Sequence, residues 1–285
     1  MEQIKSASQI AILMATYNGD KYLREQIDSL FAQTYQDWHL YIHDDGSKDN
    51  TITIINEYAQ HHPDKITLLE YSSQGGACRN FLSMLESVDA SYYMFCDQDD
   101  VWLPEKTELE MKQMKLIEQQ DKSFPIIINT DLTVVDLHLN IISSSFWKYE
   151  RIYPEYFKKF EDFAAMNIAT GCTMLFNHCT KEAIIKPYDK ALMHDAWITL
   201  CAINAHGIIN NIITPTVMYR QHGNNTLGAR DARKLTLTYR ILHIIKILQL
   251  NISHYNQLNA VRTISVWRYI CSKIKYRKFL KRTLI

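Results

Sequence analysis

Asp97-Gln98-Asp99-Asp100 sets three carboxylates within four residues, directly after the apolar run Tyr92 to Cys96. Hard divalent cations prefer carboxylate oxygens and take their remaining ligands from water and phosphate. Such a cluster can hold Mg²⁺ or Mn²⁺ where it would offset the charge on a departing diphosphate. The same residues could instead form a solvated turn capping the helix that opens at Pro104. Asp44-Asp45-Gly46-Ser47 follows another apolar run and has two readings as well. An ionised Asp accepts hydrogen bonds, so Asp44 and Asp45 can take the ring N–H of a uracil or thymine or a ribose hydroxyl. They could equally form a turn, with Ser47 or Asp49 capping the next helix.

The elements that must carry these clusters follow from the hydrophobic pattern. Ile10 to Thr16 is an apolar run of the kind buried on both faces of a parallel sheet, and it stops at the turn formers Tyr17, Asn18 and Gly19. Asp20 can cap the next helix, and Leu23, Ile27, Leu30 and Phe31 give that helix one apolar stripe. The unit repeats with strands at 38–43, 66–71 and 92–96 and helices between them. Strands alternating with helices predict a doubly wound, mostly parallel, Rossmann-like α/β sheet. Ligands bind such sheets beyond the carboxyl ends of the strands. Thr16 to Asn18, Asp44 to Ser47 and Asp97 to Asp100 should therefore meet at one crevice.

Farther on, the spacing predicts a helix over 104–120, a strand near 126–129, an irregular aromatic stretch over 146–163, and a strand at 174–176. A helix from His194 through Ala205 and a strand pair within 208–219 complete the ordered part. From 229 the chain reads as basic helices, with Leu235, Tyr239, Leu242, Ile245 and Ile247 near helical spacing. The expected organisation is a catalytic domain at 1–228, divided into a nucleotide-binding half (1–105) and an acceptor half (106–228), with a helical C-terminal extension at 229–285.

A hydrophobic fraction of 47% and a charged fraction of 22% describe a folded globular chain and exclude a disordered one. Net charge is zero, but from Arg230 onward thirteen Lys and Arg face one Asp, which leaves 18 basic and 30 acidic residues in 1–229. Basic amphipathic helices bind anionic lipid surfaces. The tail is therefore expected either to touch a membrane or to pack on the acidic domain. Nucleic acid is a poorer partner, because no stacking motif accompanies the charge. Six scattered cysteines without a CxxC pair fit a reduced, cytoplasmic chain, and no run reaches membrane-spanning length.

The stretches Ala15-Thr16-Tyr17-Asn18-Gly19, Leu30-Phe31-Ala32-Gln33-Thr34-Tyr35, Asp44 to Thr51 and Asp97 to Pro104 together resemble the family 2 glycosyltransferases of the GT-A fold. The resemblance is close over the first 105 residues or so and looser to about Gly228. It implies an inverting transfer from a nucleoside-diphosphate sugar to a hydroxyl of a saccharide or lipid-linked saccharide, in cell-surface polysaccharide synthesis. By the same resemblance Thr16, Tyr17, Asn18, Asp45 and Asn80 surround the donor, and the family's DxD motif falls on Asp97 and Asp99, with Asp99 on the metal. Asp100 is left as an alternate ligand or a supporting group.

An inverting displacement needs one base. Asp195 in Met193-His194-Asp195-Ala196-Trp197 holds the position of that base, although His194 stands where the family often has Glu. The segment from Met218 to Asn225 is similar to bacterial members that extend surface polysaccharides, including rhamnosyltransferases. There His222 could complete the metal site, and Arg220 could pair with a phosphate. Gly171, Cys172, His194 and Trp197 are assigned to the acceptor side. A dinucleotide enzyme or a sugar nucleotidyltransferase would open with a glycine-rich loop that this chain lacks. A non-catalytic nucleotide-sugar-binding protein is the remaining alternative.

Overall fold

The computed structural model describes residues 4–5, 9–222 and 244–283. In chain order its elements are β1 (Ile4–Lys5), β2 (Ile10–Thr16), α1 (Leu23–Phe31), β3 (Trp38–Asp44), α2 (Thr51–His61), β4 (Ile66–Leu68), α3 (Ala77–Ser87), β5 (Val88–Asp89), β6 (Tyr92–Cys96) and β7 (Val101–Trp102). There follow α4 (Lys106–Glu118), β8 (Ile126–Val135), β9 (Ile141–Ser143), α5 (Phe146–Glu150), β10 (Met174–Asn177), α6 (His178–Glu182), α7 (His194–Asn204) and β11 (Ile208–Arg220). Two further helices, α8 (Ile244–Val261) and α9 (Val266–Thr283), end the described chain.

The main sheet runs β4-β3-β2-β6-β10-β8-β11-β7, with β9 paired to β8. Strands β4, β3, β2 and β6 are parallel, as the alternating pattern predicts. β10 enters antiparallel between β6 and β8, joining the nucleotide half to the second half. Burial explains the apolar runs. Ile10, Ile12 and Met14 of β2 face one core, whereas Ala11 and Leu13 face a second core across the sheet. Layers on both faces leave no polar side for the strand to show.

Local expectations differ from the structure at several places. β8 extends through Val135, six residues beyond the expected end, and pairs with β11 for most of its length. The expected strand pair at 208–219 is the single strand β11, with register irregularities on both sides of Pro215. Proline lacks the N–H for a regular ladder, so the strand continues through a bulge. Asp20 does not cap α1, whose N-cap is Tyr22 without a side-chain bond. The Asp20 carboxylate instead accepts the Asn50 side-chain amide. At α2, Asp49 accepts both the Thr51 amide and hydroxyl, while the Ser47 hydroxyl donates to Asp44.

The aromatic stretch 146–163 is the floor under the C-terminal helices. Trp147, Phe157, Phe160 and Phe163 form a third core with Leu258, Val261, Tyr269 and Tyr276. The inner faces of α8 and α9 thus pack on the catalytic region. Their outer faces leave Ile245, Leu248, Ile252 and Trp267 exposed, Trp267 by 72%. The 228/229 boundary and the residues Leu235, Tyr239 and Leu242 lie outside the described residues. Among the described residues no helix is long and apolar enough to cross a membrane.

Candidate active site

At the carboxyl end of β3 the two neighbouring aspartates do different work. Asp44 builds the turn: one carboxylate oxygen accepts the Gly46 and Ser47 amides at 3.0 and 2.7 Å, and the other accepts the Thr16 hydroxyl at 2.9 Å. Both Asp44 oxygens, expected to contact a nucleotide, are directed at the strand ends and the turn. Asn18, with φ of 47°, donates its amide to Ser47 Oγ and accepts the Lys48 amide. This locks the end of β2 onto the β3 turn.

Asp45 faces a cavity and gathers the loop 73–76. It accepts the Ser73 hydroxyl at 2.7 Å and the amides of Gln74, Gly75 and Gly76. Gly75 and Gly76 have φ of 73° and 131°, which lets consecutive amides converge on one carboxylate. Burial alone would raise the Asp45 pKa, but these hydrogen bonds outweigh it and hold the carboxyl below its ordinary value. Asn80 lines the same cavity, its carboxamide 2.7 Å from His43 Nδ1.

At the end of β6, Gln98 turns back toward β2. It accepts the Tyr17 amide at 2.9 Å and donates to the Tyr17 carbonyl at 3.0 Å. A Cβ on Gly19 would lie 2.2 Å from Gln98 Oε1, so this tie requires glycine at position 19. With Gln98 pinned, Asp97 and Asp99 on either side of it line the cavity. His222 Nε2 is 2.7 Å from Asp99 Oδ2, and its ring stacks on Tyr22 at 5.2 Å between centroids.

Arg220 is a strut. Its amide donates to Asp100 Oδ1, its Nε to the Asp99 carbonyl, its Nη1 to the Leu137 carbonyl and its Nη2 to Glu25. Only 2% exposed, it directs Nε, Nη1 and Nη2 to protein groups. Asp100 is fully buried, and burial, followed by the charges of Asp99 and Asp97, pushes its carboxyl well above the ordinary range.

Asp45, Asp97 and Asp99 thus line one cavity of about 550 Å³ with Thr16, Tyr17 and Asn80. A second opening of about 730 Å³ shares Tyr17, Gln98 and Asp99 with it and adds Asn18 and His222. Asp99 lines both openings, Asp97 the first and His222 the second, and two carboxylates and an imidazole suit a divalent cation in donor chemistry. Deeper in, donor atoms of Asp97, Asp100 and Cys172 lie within 4.8 Å of one another.

The second half contributes Asp195 in the first turn of α7. Its carboxylate accepts the Gly171 amide at 3.2 Å and the Ala196 amide at 2.6 Å. Burial dominates these bonds and raises its pKa to about 6. Asp195 does not line the cavity of Asp45 and Asp99. It lines another of about 570 Å³, and its charge is close enough to Asp97 to help raise that carboxyl's pKa.

His194 packs between the rings of Phe81 and Phe95, at 4.2 and 4.7 Å. Among the described residues neither ring nitrogen has a hydrogen-bond partner, and burial lowers its pKa to about 3, so the ring is neutral. A Cβ on Gly171 would come within 2.6 Å of His194 Nε2, which makes this pair mutually dependent. Trp197, expected on the acceptor side, is wholly enclosed in the third core and donates its indole N–H to the Ile185 carbonyl. It supports α7 from behind and faces no acceptor. Gln98, His43, Tyr22 and the loop 73–76 were not singled out from sequence, although Gln98 sits inside the acidic motif and Gly75-Gly76 marks the loop.

The chain is a glycosyltransferase of the GT-A fold: residues 11–179 match the family described as Glycosyl transferase family 2, and the chain belongs to that family. It is similar to the dTDP-rhamnosyl transferase RfbG of Shigella flexneri, with 30% identity over 241 residues, 78% of this chain and 75% of that protein. Its fold is similar to that of TarS 1-349 from S. aureus in complex with UDP-GlcNAc, with TM-score 0.54, 15% identity and coverage of 90% of this chain and 73% of the other. It is also similar to the mannosyltransferase PcManGT of Pyrobaculum calidifontis in complex with GDP-Man and Mn²⁺, with TM-score 0.54, 17% identity and coverage of 93% and 73%.

Proposed function

We propose that the chain transfers a sugar from a UDP or dTDP sugar to a hydroxyl of a saccharide or lipid-linked saccharide, with inversion, in the synthesis of a cell-surface polysaccharide. The observation that carries this reading is that Asp45, Asp97 and Asp99, from the ends of two strands that flank β2, line a single cavity. The donor's nucleotide lies along Thr16, Tyr17 and Asn80, with its diphosphate toward Asp97 and Asp99. Asp97, Asp99 and His222 would hold Mg²⁺ or Mn²⁺, which when bound supplies Lewis-acid neutralisation of the diphosphate. The likeness to a dTDP-rhamnosyl transferase favours dTDP-rhamnose among the donors.

On the other face, Asp195 takes the proton from the acceptor hydroxyl as that oxygen bonds to the sugar's anomeric carbon. The bond from that carbon to the diphosphate breaks at the same time, and its electron pair leaves with the diphosphate. A carboxyl raised to about 6 is ionised at neutral pH yet more basic than an ordinary carboxylate, which suits a general base. Residues 1–105 serve as the nucleotide-binding half, 106–228 as the acceptor half, and the basic helices favour a position at the inner surface of the cell membrane.

Calorimetric titration with UDP, dTDP and GDP sugars, with and without Mn²⁺, tests the donor side. Metal-dependent binding of a UDP or dTDP sugar is expected. Binding of GDP sugars alone, or binding indifferent to metal, would reject it.

A further inference from the structure

Beside the donor cavity, the end of β3 and the first turn of α3 meet in a buried polar contact. His43 is 1% exposed, and its ring stacks on that of Tyr71 with 3.8 Å between centroids and 6° between planes. Its Nδ1 lies 2.7 Å from Asn80 Oδ1, and its Nε2 lies 3.2 Å from the Tyr71 carbonyl oxygen. The stack and the two contacts fix the ring, since turning it over would put carbon where each nitrogen now meets its partner. Asn80 lines the cavity together with Thr16, Tyr17 and Asp45.

These partners constrain where the hydrogens sit. A carbonyl oxygen only accepts, so Nε2 carries a hydrogen and donates it to Tyr71. A second hydrogen on Nδ1 would make the ring an imidazolium. Among the described residues no carboxylate bonds to His43, and a charge buried without one is costly. Nδ1 of the neutral ring is therefore bare and needs a donor opposite it. The two ends of a carboxamide are alike in size, and the hydrogen bonds around it decide which end is nitrogen. With its oxygen toward Nδ1, Asn80 would set acceptor against acceptor; with its NH₂ there, both contacts of His43 are satisfied.

Resting on the donor reading above, we infer that His43 is a positioning residue, which turns Asn80 so that its carboxamide oxygen faces the cavity and accepts a hydrogen from the nucleoside. Asp45, on the same cavity, already accepts the Ser73 hydroxyl and three loop amides, whereas Asn80 has this oxygen to offer. The hydrogen comes either from the ring N–H that uracil and thymine carry or from a ribose hydroxyl. Cytosine has the same ring nitrogen bare and would again set acceptor against acceptor. In the first case His43 therefore makes the site choose among pyrimidine nucleotides, because a buried acceptor strongly disfavours a ligand without the matching hydrogen.

Long-range proton–nitrogen correlation NMR of the full chain, labelled at histidine nitrogen, reads the tautomer directly, with His43 assigned by the signal lost in His43→Phe or His43→Gln. A hydrogen on Nε2 and a bare Nδ1 are expected at neutral pH; a hydrogen on Nδ1 overturns the inference, whether or not Nε2 carries one too. Calorimetry with Mn²⁺ then compares UDP, CDP and the 2′- and 3′-deoxy forms of UDP. His43→Phe, which keeps a ring on Tyr71, should weaken the probes that carry the hydrogen met by Asn80 about tenfold, and the probe that lacks it by less than about twofold. An insensitive CDP assigns the contact to the ring N–H, and an insensitive deoxy form assigns it to that hydroxyl. Asn80→Ala should reproduce the same pattern. Equal weakening of every probe by His43→Phe, or of none, makes His43 a scaffold residue only and overturns the inference. Failure of the wild type to bind UDP would instead overturn the donor reading itself, whatever the tautomer.

Discussion

The donor rim and the acceptor wall are built in opposite ways. At the rim, Asp44 and Asp45 are held by short-range bonds to turns and loop amides, and Gln98 is tied at both ends to Tyr17. Across the wall, Asp195 has two amide partners, His194 has no hydrogen bond, and Lys273 faces a cavity without a paired carboxylate among the described residues. A rim of satisfied dipoles is preorganised for a charged ligand and needs no rearrangement to receive it. The wall keeps uncompensated groups, which is the property expected of a surface completed by its substrate.

The largest effect should come from the rim. Asp99→Ala removes the carboxylate that contacts His222, and should abolish transfer together with the enhancement of donor binding by Mn²⁺. Retention of that enhancement, read by calorimetry, would move the metal away from Asp99.

Next in size is a scaffold change beneath the rim. Lys106 and Glu110 form an ion pair at 2.5 Å with neither side chain exposed, and burial, countered by Lys106, leaves Glu110 raised to about 7. Lys106→Met strands Glu110 and should cost about 3–5 kcal/mol in chemical denaturation. A loss below about 1 kcal/mol would mean that Glu110 takes up a proton at little cost.

On the acceptor side, Gly171→Ala forces a Cβ to 2.6 Å from His194 Nε2 and should destabilise by about 1–3 kcal/mol. The same substitution in a His194→Ala background should cost clearly less, and a strictly additive pair would show that the contact is unimportant.

The smallest effect is in pH. Asp195 must be ionised to act, so kcat/KM should rise tenfold per pH unit below about 6 and level off above it. The charge of Asp195 is felt in turn by Asp97 and Cys78, and a profile flat from pH 5 to 8 would speak against a carboxylate base.

Much of the rim was legible in the sequence because each part is local. An apolar run, a turn and an acidic cluster are contiguous in the chain, and a parallel sheet sets their ends side by side. The roles within each cluster were less legible. Asp44 and Asp45 are equivalent as letters, and only the turn geometry makes one a builder and the other a cavity wall. Arg220 and Trp197 suggested ligand contacts by residue type, yet tertiary packing spends the first on the Asp99 and Asp100 segment and encloses the second. The wall was barely legible at all. Lys273 lines the same cavity as Asp195 because α8 and α9 pack on the aromatic stretch 146–163, which has no periodic pattern to announce it as a floor.

The central claim is that donor binding and proton removal belong to separate walls. Asp195→Asn tests it most directly, with donor affinity measured by calorimetry and turnover measured in the same preparation. The account predicts donor affinity within about twofold of wild type and a loss of turnover of at least about 100-fold. Turnover near the wild-type rate, or a parallel collapse of donor binding, would contradict it.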